Sequence, residues 1–242
     1  MIRFEGVHKS FNGHAVLKGL DLELPARSIS VILGPSGEGK SVLLKHMMGL
    51  LRPDRGRVIV DGTDLSTMDE RAINGFRKKF GMLFQNAALF DSLTVEENVA
   101  FPLREHSGLS ESEISERVRQ KLELVGLKGA LQKMPAELSG GMRKRVGLAR
   151  AIALEPGIIL YDEPTTGLDP LMTDTINRLI VDTHKATNVT SVIISHDIEA
   201  TFQVADFVAM LHDGVIVEQG DPERFQKSRH PFVRKFLGRQ GD

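Results

Sequence analysis

Short apolar runs alternate with longer stretches of helical periodicity along most of the chain. Four of these runs are bounded by turn or polar residues, as is typical of buried strands, and they lie at 28–33, 157–161, 190–194 and 207–211. Residues 1–25 and 56–60 mix polar and apolar positions, which favours antiparallel strands. The pattern therefore predicts an α/β fold with a mostly parallel sheet and an N-terminal antiparallel β part.

The middle of the chain, from about 94 to 153, carries helix signals and no convincing strand. Two short segments have the form of a capping box, Thr94 with Glu97 and Ser110 with Glu113. The apolar positions after the second box recur at helical spacing, at Ile114, Val118, Leu122 and Val125. We therefore expect a helical subdomain at about 86–154, inserted between two parts of the α/β core at about 1–85 and 155–242.

The composition limits the kinds of partner and the kinds of fold that we expect for this protein. Lys plus Arg is 31 and Asp plus Glu is 32, so the formal net charge is −1 and gives no reason to expect binding to nucleic acid. The chain has no cysteine, which excludes a disulfide framework. No apolar run approaches the roughly 20 residues that a membrane-spanning helix requires. We expect a protein that is soluble by itself and reaches a membrane only through a partner.

A glycine-rich segment lies between the run at 28–33 and a helical stretch at 42–50. It fits the pattern G-x-x-x-x-G-K-[ST] and consists of Gly34, Pro35, Ser36, Gly37, Glu38, Gly39, Lys40 and Ser41. Glycines allow backbone N–H groups to wrap phosphates, and the helix N-terminus adds partial positive charge. Lys40 is expected to meet the β- and γ-phosphates of ATP, and the Ser41 hydroxyl to ligate Mg²⁺. A plain glycine-rich turn with a surface lysine would not account for the complete motif in this context.

Carboxylates follow the apolar run at 157–161. Ligands collect at the carboxyl ends of parallel strands, so we expect Asp162 to hold Mg²⁺ and Glu163 to polarise the attacking water. An Asp-Glu pair at a strand end is by itself usually solvated, and the phosphate loop gives this pair its meaning. His196 follows the run at 190–194 and could hydrogen-bond the γ-phosphate or the water, while Gln85 could reach Mg²⁺ and the water. Taken alone, neither of these two side chains would indicate a function.

Two adjacent glycines, outside the glycine-rich segment described above, begin a predicted helix before Asp162 in the chain. Ser139, Gly140 and Gly141 at a helix N-terminus form a second anion site that is able to face a γ-phosphate. The segment 138–142 resembles the signature motif of ABC ATPases, and it lies between the phosphate loop and the metal strand as in that family. The resemblance covers almost the whole chain. It implies that residues 1–242 form one ABC ATPase domain, which binds and hydrolyses ATP with Mg²⁺.

The resemblance assigns roles to further residues. Phe11 stands where the family has an aromatic residue that stacks on adenine, usually tyrosine, and Val16 follows at the expected interval. Gln85 corresponds to the loop that contacts the membrane partner, Asp169 to the loop that couples the two sites of a dimer, and His196 to the switch histidine. Two ATP molecules in that family lie between the phosphate loop of one subunit and the signature of the other. The resemblance therefore implies a homodimer.

The subclass is indicated by the segments 82–90, 98–106 and 149–156, together with Met142 in place of the commoner glutamine of the signature. These features resemble the lipid-asymmetry (Mla) ATPases of Gram-negative bacteria and the related Mce-type systems. The resemblance implies a peripheral protein on the cytoplasmic face of the inner membrane that energises phospholipid transport. Its implied partners are an integral permease, a lipid-binding Mce-type protein and a small regulatory subunit.

Three other classes of protein share features with this chain. Another ABC importer, for amino acids or sterols, shares part of the pattern. A soluble ABC ATPase that acts on ribosomes or DNA usually carries two ATPase halves or long coiled coils, whereas this chain has one set of motifs and no sustained heptads. A kinase built on a phosphate-loop fold has no need for the signature or for the loop at Asp169.

Overall fold

The structure is a computed structural model, and it describes residues 1–238. In chain order the strands are β1 (Ile2–Phe11), β2 (His14–Leu24), β3 (Ile29–Leu33), β4 (Arg55–Val60), β5 (Thr63–Asp64), β6 (Phe80–Leu83), β7 (Ile158–Asp162), β8 (Thr190–Ser195), β9 (Phe207–His212) and β10 (Val215–Gly220). The helices are α1 (Lys40–Met47), α2 (Glu70–Arg77), α3 (Val95–His106), α4 (Glu111–Leu124), α5 (Gly140–Ala151), α6 (Pro170–Thr187), α7 (Ile198–Val204), α8 (Pro222–Gln226) and α9 (Pro231–Phe236). No helix within residues 1–238 combines the length and the apolar character needed to cross a membrane.

The chain divides into two compact units. The first comprises Met1–Arg77 and Thr190–Asp242, the latter described to residue 238, and the second comprises Lys78–Val189. The first unit contains an antiparallel sheet in the order β2-β1-β4-β5. Phe4 in the middle strand pairs with Leu22 on one side and Val58 on the other, and all three side chains are buried. The prediction of antiparallel strands in the first 25 residues and at 56–60 is confirmed.

A second set of strands in the first unit is mostly parallel. Strand β3 pairs in parallel with β8 on one side and β9 on the other, and β10 pairs antiparallel with β9. All five side chains of β3 are buried, which explains why its sequence is apolar except for Ser30. Leu33, the last residue of β3, pairs with Ser195, the last residue of β8. The segments that leave these two strands therefore begin side by side at the carboxyl edge of the sheet.

The second unit combines a parallel strand pair with a group of helices. Leu83 of β6 pairs with Tyr161 of β7, so these strands also end side by side. Helix α5 packs against β6, where Gly81 lies so close to the carbonyl of Ala151 that no side chain fits. Both predicted capping boxes are present, at Thr94 before α3 and at Ser110 before α4. The apolar face of α4 is buried as its spacing predicts.

The α/β fold class, with an antiparallel N-terminal part and a mostly parallel sheet, is confirmed. The four predicted buried strands are present, and no bound differs from its predicted position by more than one residue. Strands β5 and β10 and helices α2 and α6 to α9 are not among the elements that the sequence analysis assigns. The helical subdomain at about 86–154 stays a prediction.

Candidate functional site

The phosphate loop connects β3 to α1 in the first unit, and its glycines are required by local geometry. A Cβ on Gly34 would lie 2.5 Å from the carbonyl oxygen of Leu211 in β9, so a side chain is excluded there. Gly37 and Gly39 have φ values of 87° and 96°, a backbone region that L residues rarely adopt. A Cβ on Gly39 would also lie 2.6 Å from Cγ1 of Val16. The loop is therefore a close-packed reversal of the backbone before a helix N-terminus.

Lys40 turns its side chain back over this loop. Its ammonium Nζ donates to the carbonyl oxygens of Gly34 at 2.7 Å and Pro35 at 2.8 Å, and the residue is only 5% exposed. An ammonium group at this place can form charge-assisted hydrogen bonds with a phosphate that approaches the loop. The exposed Ser41 follows in the first turn of α1. The loop thus fits a polyphosphate ligand in both shape and charge.

Glu38 lies within the loop, yet its carboxylate is directed to the turn between β9 and β10. Oε1 accepts from His212 Nδ1 at 3.0 Å, and Oε2 accepts from the backbone N–H of Asp213 at 2.6 Å. The sequence predicts that the whole segment 34–41 binds nucleotide. The contact that Glu38 offers to a phosphate is therefore its backbone, because its side chain is engaged elsewhere.

Three other predicted nucleotide contacts belong to the first unit. Val16 lies against Gly39 of the phosphate loop, as the close approach of its Cγ1 shows. The exposed His196 directly follows Ser195, whose pairing with Leu33 places His196 beside the start of the loop. Phe11 ends β1 with a 40% exposed ring, and the ammonium of Lys9 lies 5.6 Å from its centroid. A flat, accessible aromatic ring is suited to stacking on a base.

In the second unit, the predicted carboxylates occupy the end of β7. Asp162 is the last residue of the strand, and Glu163 follows in a left-handed conformation with φ of 46°. The hydroxyl of Thr166 donates to Glu163 Oε2 at 2.9 Å. The exposed Gln85 stands two residues after Leu83, and Glu163 stands two residues after its partner Tyr161. The parallel register therefore brings Gln85 and the carboxylates to one edge of the strand pair.

A buried lysine that sequence reasoning missed lies beside the carboxylates. Lys144 of α5 is 5% exposed, and its ammonium donates to the carbonyl oxygen of Glu163 at 3.4 Å. Burial lowers the pKa of Lys144, while the charges of Glu163 and Asp162 act in the opposite direction. Its neighbours in sequence, Arg143 and Arg145, are also basic, so residue type alone does not distinguish Lys144. The available signal was its position three residues after the buried Gly141, on the inward face of the helix.

The signature segment begins α5 and packs on the residues that flank Asp169. The Ser139 hydroxyl accepts from the N–H of Met142 at 3.3 Å and so caps the helix. A Cβ on Gly141 would lie 2.0 Å from the terminal methyl of Met172, so a side chain there would displace the end of that thioether. The Asp169 carboxylate accepts from the N–H of Met172 at 3.0 Å and caps α6. Two capped helix N-termini therefore lie together in this unit.

A cavity of about 280 Å³ joins these parts of the second unit. The lining includes residues from the Gln85 loop, the signature helix and the loop before Asp169, among them Gln85, Gly140, Lys144, Thr166, Gly167 and Leu168. Within residues 1–238, no three His, Cys, Asp or Glu side chains gather as a metal site. A Mg²⁺ ion in such a protein would be held largely by phosphate oxygens with one or two protein ligands, and hydroxyl, carboxylate and amide side chains are suited to that task.

A glycine-rich loop with a buried lysine, placed between a parallel strand and a helix, defines a protein that binds nucleoside triphosphates. The chain matches the ABC transporter family over residues 17–166, and it belongs to that family. It is accordingly an ATP-binding and ATP-hydrolysing protein, as the sequence predicts.

Comparison with known proteins gives relatives over nearly the full chain. The probable ribonucleotide transport ATP-binding protein mkl of Mycobacterium leprae is 46% identical over 98% of this chain and 68% of its own length. The intermembrane phospholipid transport ATP-binding protein MlaF of Haemophilus influenzae is 43% identical over 94% of this chain and 86% of its own length. The chain thus spans about two thirds of the length of the mycobacterial relatives, at 68% and 66%.

A similar solved structure is the dimeric ATP-binding cassette MJ0796 bound to ADP and phosphate in a post-hydrolysis state. It is 30% identical to this chain, with a TM-score of 0.83, and the match covers 91% of this chain and 98% of the cassette. The resemblance to Mla-type and Mce-type ATPases that the sequence indicates is confirmed at the level of these relatives.

Proposed function

We propose that this chain hydrolyses ATP to energise phospholipid transport through a separate membrane permease. The observation that carries the proposal is the identity of 42–43% to the MlaF proteins over 82–86% of their length, within a chain whose phosphate loop and signature are both formed. The mycobacterial relatives are named for ribonucleotides at similar identity. We favour phospholipid because the match includes a larger share of the MlaF proteins than of the mycobacterial ones.

The roles at the site follow from the chemistry of each group. Lys40 and the loop backbone bind the phosphates, and the Phe11 ring stacks on the base. Glu163 is the general base, and the hydroxyl of Thr166 orients its carboxylate toward one rotamer. Gln85 and His196 bind and orient the attacking water and the γ-phosphate.

Ser41, Asp162 and Gln85 are the proposed ligands of Mg²⁺. The ion would neutralise the charge that develops on the phosphate oxygens. Asp162 supplies the negative charge that such an ion requires, and the hydroxyl and amide oxygens complete a hard, oxygen-only donor set.

The signature is proposed to act on the nucleotide of a second copy. The N-capped helix start at Ser139 retains a hydroxyl proton for donation, because Oγ uses a lone pair to accept from Met142. The dimeric state of the similar cassette MJ0796 supports a homodimer in which each site combines a phosphate loop and a signature from different subunits. Asp169, which flanks the signature in this unit, then lies at the subunit interface.

The permease is proposed to dock on an apolar groove of the second unit, at the cytoplasmic face of the inner membrane. A cavity of about 320 Å³ is lined there by residues that include the exposed rings of Phe84, Phe90 and Phe101. Arg150 donates to the carbonyls of Ala87 at 2.7 Å and Ala88 at 2.8 Å, which fixes the loop after Gln85 beside this groove. Contacts with an Mce-type lipid-binding protein and a small regulatory subunit belong to the same proposal.

Glu163→Gln tests the catalytic assignment. The amide is nearly isosteric but is a poor base, so hydrolysis should fall by about 10²-fold or more while ATP binding persists. Glu116→Gln, which removes the same charge from the exposed face of α4, is the matched control and should hydrolyse ATP at the wild-type rate. Wild-type hydrolysis by Glu163→Gln would show that the base lies elsewhere.

The substrate is tested with the permease reconstituted in liposomes. Transfer of a labelled phospholipid that depends on ATP and is lost with Glu163→Gln would support the proposal. ATP-dependent uptake of a ribonucleotide or an amino acid instead, with no lipid transfer, would replace phospholipid by that substrate. Failure to co-purify with any polytopic membrane protein would favour the alternative of an ABC ATPase that acts without a permease.

A further inference from the structure

The acidic side chain in the phosphate loop presents an electrostatic problem. Glu38 lies between Gly37 and Gly39, in the segment that must approach the phosphates of ATP. A carboxylate free to turn toward those phosphates would repel them, since like charges a few Å apart interact strongly near a protein surface. The structure shows how this carboxylate is held.

Both oxygens of the Glu38 carboxylate are engaged by the turn between β9 and β10. His212 Nδ1 lies 3.0 Å from Oε1, and the backbone N–H of Asp213 donates to Oε2 at 2.6 Å. An ionised carboxylate only accepts hydrogen bonds, so Nδ1 of His212 must carry its proton. The Glu38 side chain is 19% exposed and that of His212 is 34% exposed. The contact is therefore partly withdrawn from solvent.

The turn that supplies these donors is itself fixed to strand β2. The N–H of Lys18 donates to the carbonyl oxygen of Gly214 at 2.9 Å, and the ammonium of Lys18 pairs with the carboxylate of Asp213. Gly214 has φ of 80°, and a Cβ there would lie 2.7 Å from the carbonyl oxygen of Val16. The hairpin thus holds the donors to Glu38 in a defined place.

The ring of His212 is sandwiched between Glu38 and the C-terminal part of the chain. Phe232 of α9 stacks on it with a centroid distance of 3.5 Å and an angle of 3° between the planes. Phe232 also contacts Phe236 of the same helix, at 6.2 Å between centroids. A parallel stack at this distance fixes the plane of the imidazole, and with it the direction in which Nδ1 donates.

We infer that His212 is a positioning residue for nucleotide binding, which keeps the Glu38 carboxylate away from the phosphates and is itself held by Phe232. The sequence offers no local sign of this arrangement, because Glu38 and His212 are 174 residues apart. It makes the affinity for ATP depend on the docking of α9. The inference rests on the proposed role of the phosphate loop.

A double-mutant comparison in the full chain tests the inference. His212→Ala should raise the Kd for ATP about tenfold, because the freed carboxylate repels the phosphates. In a Glu38→Gln background the same change should alter the Kd by less than about twofold, since no charge remains to be held. The loss should appear in the KM for ATP and not in kcat, because the groups that act on water are untouched.

A second pair of variants tests the part played by α9. Phe232→Ala should weaken ATP binding about threefold, again only when Glu38 is present. Lys235→Ala is the control, since it changes an exposed side chain of the same helix and leaves both aromatic rings in place. If His212→Ala does not fold, as judged by circular dichroism, the effect of Phe232→Ala on ATP binding with and without the Glu38 carboxylate decides whether the inference holds.

A failure of the inference about His212 can be distinguished from a failure of the phosphate-loop assignment. Equal losses in the Glu38 and Glu38→Gln backgrounds, or no loss in either, would overturn the inference and reduce His212 to a structural residue. Lys40→Ala provides the reference, because it should abolish tight ATP binding whatever holds Glu38. Retention of binding in Lys40→Ala would overturn the assignment of the phosphate loop, and the inference with it.

Discussion

The space around Gly39 allows a quantitative test of why the phosphate loop requires glycine. Gly39→Ala places a side chain at φ of 96°, and a left-handed conformation costs an L residue about 1–2 kcal/mol. The new Cβ would also stand 2.6 Å from Val16 Cγ1, so the valine must move, and overpacking of this kind costs about 1–3 kcal/mol. The sum predicts a loss of about 2–5 kcal/mol in the free energy of unfolding.

Gly37→Ala separates the two contributions. Gly37 has a similar φ of 87°, but a Cβ there meets nothing within 4 Å, so only the backbone cost of about 1–2 kcal/mol is expected. Urea unfolding without nucleotide measures the free energy of unfolding of both variants, which are compared at the same dependence of that free energy on urea concentration. Val16→Ala in the Gly39→Ala background should recover the part of the lost stability that comes from the steric clash. This recovery is a coupling free energy of about 1 kcal/mol or more between the two changes. Equal losses for the two glycine variants, or strictly additive effects of Val16→Ala and Gly39→Ala, would refute the steric argument.

Three further predictions concern the signature, a buried histidine and a buried amide. In tagged heterodimers, ATP binding should differ between a dimer that carries Lys40→Ala and Ser139→Arg in the same subunit and a dimer that carries one change in each subunit. Identical ATP binding by the two dimers would show that each chain works alone. Burial lowers the pKa of His46, so proton uptake below about pH 6.5 favours the unfolded chain. His46→Leu should therefore lose less stability than the wild type between about pH 7 and 5 in urea titrations. Asn98 donates to three carbonyls and accepts from the N–H of Phe90, so Asn98→Ala should cost about 3 kcal/mol or more in the same assay, and a loss under 1 kcal/mol would contradict this.

Local patterns in the sequence predict much of this structure. Strand β3 and the phosphate loop are predictable because a buried parallel strand is a nearly continuous apolar run and the loop requires glycine at fixed positions. The caps at Thr94 and Ser110 are predictable because the carboxylate of a glutamate three residues away accepts from the backbone N–H of each capping residue.

What the sequence did not reveal depends on contacts between distant residues. Lys144 is recognised as a buried cation only once α5 is packed beside Glu163. The engagement of Glu38 by His212, and the stack of His212 on Phe232, join segments with no common period or motif. The bounds of β10 and the last helices were missed for the same reason, since tertiary packing rather than propensity determines them.

The left-handed backbone at Glu163 has a consequence for protein engineering. At φ of 46° the position favours glycine or asparagine over glutamate, so either replacement should relieve about 1 kcal/mol of strain. Those same replacements remove the carboxylate that accepts from Thr166. A screen that selects only for thermal resistance would therefore enrich folded but inactive variants at this position, and a library for such a screen should keep residue 163 fixed.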